Sequence, residues 1–168
     1  MKIFLASDHA GFELKEKVKR ELQDSSYDVE DCGAYQYDPD DDYPDFVSSA
    51  AKNVSKDSED SKAIIFGGSG QAEAMVANKF PGVRCALFYS AVAPTEPADI
   101  TGRKSDDPYE MIRLTREHND ANILSIGARF VSEEQALKAS KLWLEQEFTK
   151  DERHVRRIKK ITAIEENG

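Results

Sequence analysis

Apolar and polar positions change period several times along this chain, and each change marks an element. Ile3-Phe4-Leu5-Ala6 is a short apolar run that predicts a buried first strand over residues 2–6. Ser7-Asp8-His9-Ala10-Gly11 breaks the run, after which Leu14, Val18 and Leu22 recur every four residues, the spacing of one helical stripe. The lysines and glutamates between them are expected to face water. Residues 27–33 predict a second short strand, and Pro44 suits the first turn of a helix reaching about Asn53. Ala63-Ile64-Ile65-Phe66 then meets Gly67-Gly68-Ser69-Gly70 and passes into the helix-favouring Gln71-Ala72-Glu73-Ala74-Met75, which reads as strand, tight loop, helix. A fourth strand is expected over residues 83–89, apolar on both faces apart from Arg84. Pro108 opens a helix that runs to Glu117 and closes at His118-Asn119-Asp120, before a fifth strand over residues 122–126. Ser132-Glu133-Glu134-Gln135 has the form of a capping box and starts a helix ending near Phe148.

Strands that alternate with helices predict an α/β fold: a single doubly wound, Rossmann-like domain over residues 1–168, its five-stranded parallel sheet covered by helices on both faces. Ligands of such sheets bind beyond the carboxyl ends of the strands, where strand order reverses. Asp8-His9, the glycine loop and the segment after the fourth strand are therefore expected on one edge. Residues 90–107 are too long for an ordinary connection and predict either a mobile lid or an ordered excursion.

Composition narrows the function classes. With 39% hydrophobic and 33% charged residues, the chain is that of an ordinary globular protein. It has no apolar run of membrane-spanning length and no long signal-type segment, so a cytoplasmic location is expected, with no membrane partner. A net charge of −9 argues against a nucleic-acid partner, and an anionic ligand must meet a local basic cluster. Arg153-His154-Val155-Arg156-Arg157 inside the basic segment 150–165 is one such cluster, although a solvated helix face is the plainer reading. The acid run Asp38-Pro39-Asp40-Asp41-Asp42 lacks the ligand order of a calcium loop and reads as a solvated loop. Cys32 and Cys85 lie in predicted strands at no metal-type spacing and read as structural. Trp143 reads as a core or interface anchor.

The glycine loop can turn its N–H groups toward one point, where they would hold an anion or a developing negative charge. Glu73, in the first turn beyond it, either complements the helix dipole or acts as a general base beside an oxyanion site. His118 similarly reads as a histidine at a helix C-terminus or as an acid–base group. Residue spacing leaves both pairs of readings open.

Taken together, Ser7-Asp8-His9-Ala10-Gly11, Asp42-Tyr43-Pro44, Gly67-Gly68-Ser69-Gly70 with Ala77-Asn78-Lys79, His118-Asn119-Asp120, Gly127-Ala128-Arg129 and Arg153-His154-Val155-Arg156-Arg157 resemble the ribose-5-phosphate isomerase B and galactose-6-phosphate isomerase family. The resemblance runs in order from residue 2 to about 165, with residues 91–107 as an apparent insertion and Gln71-Ala72 where an asparagine-glycine pair is expected. It implies an aldose–ketose isomerase that works through a cis-enediolate without metal or cofactor. Glu73 would be the base, in a family whose other branch places a cysteine at the position of Gly67. His118 would open the furanose ring, and Ser69 with the backbone of Gly68, Gly70, Gln71 and Ala72 would hold the enediolate oxygen. Asp8, Tyr43 and Asn119 would contact the sugar, and His9, Arg129, Arg153 and Arg157 the phosphate. The implied substrate is ribose 5-phosphate, with a hexose 6-phosphate of allose or galactose as the alternative. A non-catalytic phosphosugar-binding module is the reading that dispenses with Glu73 and His118. The resemblance also implies a homodimer, or a dimer of dimers, with sites shared between subunits.

Overall fold

A computed structural model describes residues 1–167. Five strands, β1 (Lys2–Ser7), β2 (Asp28–Asp31), β3 (Ser61–Gly67), β4 (Cys85–Phe88) and β5 (Ile123–Gly127), form one all-parallel sheet in the order β2-β1-β3-β5-β4. The helices are α1 (Phe12–Asp24), α2 (Tyr43–Lys56), α3 (Gln71–Ala77), α4 (Glu110–Glu117), α5 (Glu133–Glu145) and α6 (Glu152–Asn167). Strand order reverses between β1 and β3, which puts the loops that follow them side by side.

The near-continuous apolar character of β1 and β3 reflects burial on both faces. On one face Ile3, Leu5, Ile64 and Phe66 pack with Val18 and Leu22 of α1 and with Ala139 and Trp143 of α5. On the other, Phe4, Ala6, Ala63 and Ile65 pack against Val47, Ala50, Ala51 and Val54 of α2. The capping box of α5 forms as its sequence predicts, Ser132 accepting from the Gln135 N–H and the Gln135 side chain accepting in return.

Three local expectations change. Lys15 does not face water but is wholly buried, its Nζ donating to Asp31 Oδ1 at 2.7 Å and to the Ala34 carbonyl at 2.7 Å. The second strand is shorter than its predicted span and ends at Asp31, whose side chain accepts from this lysine and from the Gly33 N–H. The fourth strand is a half-buried edge of four residues, not a doubly covered one. The side chain of Asn78 meets both the N–H and the carbonyl of Cys85, standing in for a neighbouring strand.

Burial raises the Asp31 pKa, but the hydrogen bonds from Lys15 and Lys19 overcome it and hold the carboxyl below its ordinary value of 3.8. A carboxylate depressed in the folded state adds stability above the unfolded pKa, and that stability is lost as pH falls through the folded value. The difference in melting temperature between wild type and Asp31→Asn should therefore be full near neutrality and shrink below pH 3.8. A difference independent of pH would show that the Asp31 charge contributes nothing.

Between β4 and α4 the chain forms neither helix nor strand, yet it is held. Arg103 reaches Asp99, Glu110 and Glu117, each at 2.9–3.0 Å, which makes this segment an ordered excursion. No helix among the described residues is long and apolar enough to cross a membrane.

Candidate active site

Parallel pairing aligns Ser7 with Phe66, and Gly67 with Gly127, so three loops leave the sheet on the same edge. Gly11 lets the first turn lie against β3, since a Cβ there would stand 2.6 Å from the Phe66 carbonyl carbon. In that turn the buried Asp8 accepts from the N–H groups of Ala10 and Gly11 at 3.0 and 3.2 Å. The glycine loop is fixed from its other side: Ala128 N–H donates to the Gly67 carbonyl, Arg129 N–H to the Gly68 carbonyl, and buried Ser125 to the Gly70 carbonyl. Gly70 takes a left-handed conformation (φ 74°) and caps α3.

Glu73 follows within the first turn of α3, buried at 4% exposure. Its carboxylate lies against Gly67, and its Oε2 is buried without a hydrogen-bond partner. Burial pushes the Glu73 pKa up, and the charge of Asp8 adds to that. A carboxylate placed only to complement a helix dipole would keep its water. Ser69 and Gly68 are half-exposed on the same loop, Gln71 is exposed and Ala72 half-buried, and the Arg129 guanidinium lies beside Gly68. Tyr43 is half-buried at the start of α2.

The acid run is not wholly solvated, and it supplies a residue that the sequence analysis left out. Asp41 Oδ1 accepts from the His9 N–H at 2.9 Å and lies 2.7 Å from its Nδ1, while the Asp41 side chain is only 7% exposed. This contact raises the His9 pKa. A single Asp within an acid run carries no local signal of this, because its partner stands 32 residues away. The ligating atoms of Asp8, His9 and Asp41 lie within 4.8 Å of one another, close enough to surround a cation. With Nδ1 engaged by Asp41, the geometry better suits a held imidazolium. Asp41→Asn should return the His9 pKa toward 6.5, read from the imidazole proton shifts in an NMR titration. An unchanged midpoint would remove Asp41 from this role.

His118 and Asn119 are not on this edge. In a parallel sheet, the end of a helix lies beside the start of the strand that follows, and His118 closes α4 just before β5. Arg84, which precedes β4, donates to the carbonyls of Asn119 and Asp120 and so fixes them at the opposite end. There His118 stacks on buried His154 with ring centroids 4.2 Å apart, and Arg153 and Arg157 lie close enough to His154 that their charges help burial lower its pKa. The residues expected to work together thus form two groups. Asp8, His9, the glycine loop, Glu73 and Arg129 lie at one end of the sheet; His118, Asn119, Arg153 and Arg157 lie at the other. Sequence order placed each residue on its element but could not show that the length of a strand separates the groups.

The chain was also compared with known proteins. The family model described as Ribose/Galactose Isomerase matches residues 3–96 and 106–161, leaving only 97–105 of the excursion outside it. A ribose-5-phosphate isomerase B of Mycolicibacterium paratuberculosis is 39% identical over 98% of this chain and 92% of its own length. One from Mycobacterium tuberculosis is 36% identical over 98% and 90%. The solved ribose-5-phosphate isomerase B of Mycoplasma genitalium, with bound ribulose 5-phosphate, superimposes with a TM-score of 0.86 at 34% identity, covering 99% of this chain and 97% of that one. The chain belongs to the ribose/galactose isomerase family.

Proposed function

We propose that this isomerase interconverts ribose 5-phosphate and ribulose 5-phosphate through a cis-enediolate, at sites that two copies of the chain complete together. The observation that carries the reading is Glu73: a buried carboxylate with an unpartnered oxygen, beside a loop of backbone donors and an arginine. Glu73 takes the proton from C2 of the open-chain aldose and returns it to C1. The N–H groups of residues 68–72 and the Ser69 hydroxyl hold the oxygen that becomes negative, which lowers the barrier only if they are fixed beforehand. Asp8 and Tyr43 meet the sugar hydroxyls. His9, held by Asp41, and Arg129 meet the phosphate from the same chain.

The partner copy supplies the rest. Its His118 moves the proton that opens the furanose ring, its Asn119 holds a hydroxyl, and its Arg153 and Arg157, four apart on one face of α6, close on the phosphate. Two features support such pairing. Ile161 and Ile164 of α6 are exposed, and with Cys85 and Ala86 of the edge strand β4 they line a cleft of about 430 Å³. A two-fold axis would bring each chain's histidine end to the other's glutamate end twice.

The direct assay is conversion of ribose 5-phosphate in the presence of chelator, run beside allose and galactose 6-phosphates. Turnover of a hexose phosphate alone would rename the substrate, and turnover of none would sink the reading. Sharing of the site has its own test. Mixing inactive Glu73→Gln with inactive His118→Ala should restore up to about a quarter of wild-type activity, because half the random dimers would carry one intact site. No recovery, with subunit exchange verified, would place the whole site in one chain.

A further inference from the structure

At the end of the sheet remote from Glu73 lies a cleft of about 680 Å³ that the isomerase chemistry does not use. Its walls come from the start of β3, from Arg116 and Asp120 at the end of α4, and from the segment 144–148 that closes α5. Lys62, the second residue of β3, lies on the same face of the strand as Ile64 and Phe66. Its Nζ stands 5.6 Å above the centroid of the Trp143 ring, and the Arg116 guanidinium stands 5.9 Å from that centroid. Among the described residues no carboxylate pairs with Lys62. Lys2, Lys15, Lys17, Lys19 and Lys141 all have such a partner.

We propose that Lys62 is a site of covalent acylation, its amine taking the acyl group of a small acyl phosphate that enters this cleft. The Nζ lone pair adds to the acyl carbonyl, and the tetrahedral adduct expels phosphate. The N–C bond of an amide forms as the C–O bond to phosphate breaks, the surplus amine proton passes to phosphate or water, and nothing is oxidised or reduced.

The surroundings favour this amine over the chain's other lysines. Half-burial, reinforced by the Arg116 guanidinium, lowers the Lys62 pKa from 10.5 to about 8, against the opposing pull of Asp120 and Glu147. Glu59, Asp60, Glu145 and Lys150 complete the charged rim. At pH 7.5 roughly a quarter of such an amine is neutral, against about one in a thousand for an ordinary lysine. Lower basicity makes each neutral amine less nucleophilic, which takes back part of that advantage. Arg116 is itself held by Asp120 Oδ1 and by the carbonyls of Ala121 and Gln146, all through Nε and Nη1. Its Nη2 has no acceptor among the described residues and is free to meet the departing phosphate. The cleft is far larger than an acetyl group, and Lys62 is about 17 Å along β3 from Gly67, so acylation there leaves the glycine loop untouched.

The test treats the full-length protein with acetyl phosphate and measures initial acetylation at each lysine by peptide mass spectrometry between pH 7 and 10.5. Lys62 should react at least about tenfold faster than exposed Lys52 and Lys104 at pH 7.5, and should level off above pH 9 while theirs still climbs. A rate equal to or below theirs, whether from an ordinary amine or a closed cleft, overturns the proposal. Reductive ¹³C-methylation gives an independent reading, in which the Lys62 resonance should titrate near 8. A midpoint near 10.5 would overturn it as well.

Discussion

Glu73→Gln is expected to lower turnover at least about a hundredfold while leaving KM for the sugar phosphate nearly unchanged, the pattern of a lost general base. Glutamine keeps the volume that Glu73 fills against Gly67 and loses the carboxylate that could accept a proton. The proposed phosphate contacts lie elsewhere, on His9, Arg129 and the basic face of α6, so binding should be preserved. Two further readouts separate this role from a structural one. Burial raises the Glu73 pKa, and a general base must act in its carboxylate form, so the acidic limb of the kcat profile should lie above the ordinary value of 4.5. A carboxyl whose pKa is raised by folding destabilises the protein as pH climbs past the unfolded pKa, because the buried charge has become obligatory. Glu73→Gln should therefore melt at a higher temperature than wild type at neutral pH, while being the slower enzyme. Equal turnover would end the assignment, and a lower melting temperature would mean that the carboxylate is held for stability.

Much of this fold was legible in hydrophobic spacing, for a physical reason. A doubly wound sheet buries β1 and β3 on both faces, so they appear as continuous apolar runs, and the glycines beyond them mark where backbone must approach backbone. What failed was contact between distant polar groups. Lys15 sits at a position that a helical pattern assigns to solvent, and the half-buried Asp31 and the Ala34 carbonyl that accept from it change that. Asp41 looks like any other member of an acid run until the chain brings it to His9. Arg84 appeared as a charge out of place in an apolar strand, whereas it lies before a short edge strand and binds the turn that holds Asn119. The candidate residues themselves were found through the family resemblance, since neither Glu73 nor His118 departs from ordinary helix-end chemistry in sequence. The three-dimensional arrangement adds what no linear pattern carries, that these two residues face away from each other along one chain.

The packing of Glu73 against Gly67 leads to the second large effect. A Cβ built on Gly67 would fall on the Glu73 carboxylate, and Gly67 has no left-handed backbone angle that forbids a side chain. Gly67→Ala should thus fold, displace Glu73 from the loop, and cost at least about a hundredfold in turnover through misplacement of the base. This steric conflict also gives a reason why a family could place its base at either position and not at both: a side chain at 67 and a carboxylate from 73 compete for one volume. A double-mutant cycle decides whether the effect runs through Glu73. If Gly67→Ala acts by moving that carboxylate, then in the Glu73→Gln background it should cost less than about a further threefold, because the group it disturbs is already lost. Losses that multiply in the double mutant would show instead that Gly67 serves the loop's backbone donors, and the base would have to tolerate a neighbour that the geometry denies it.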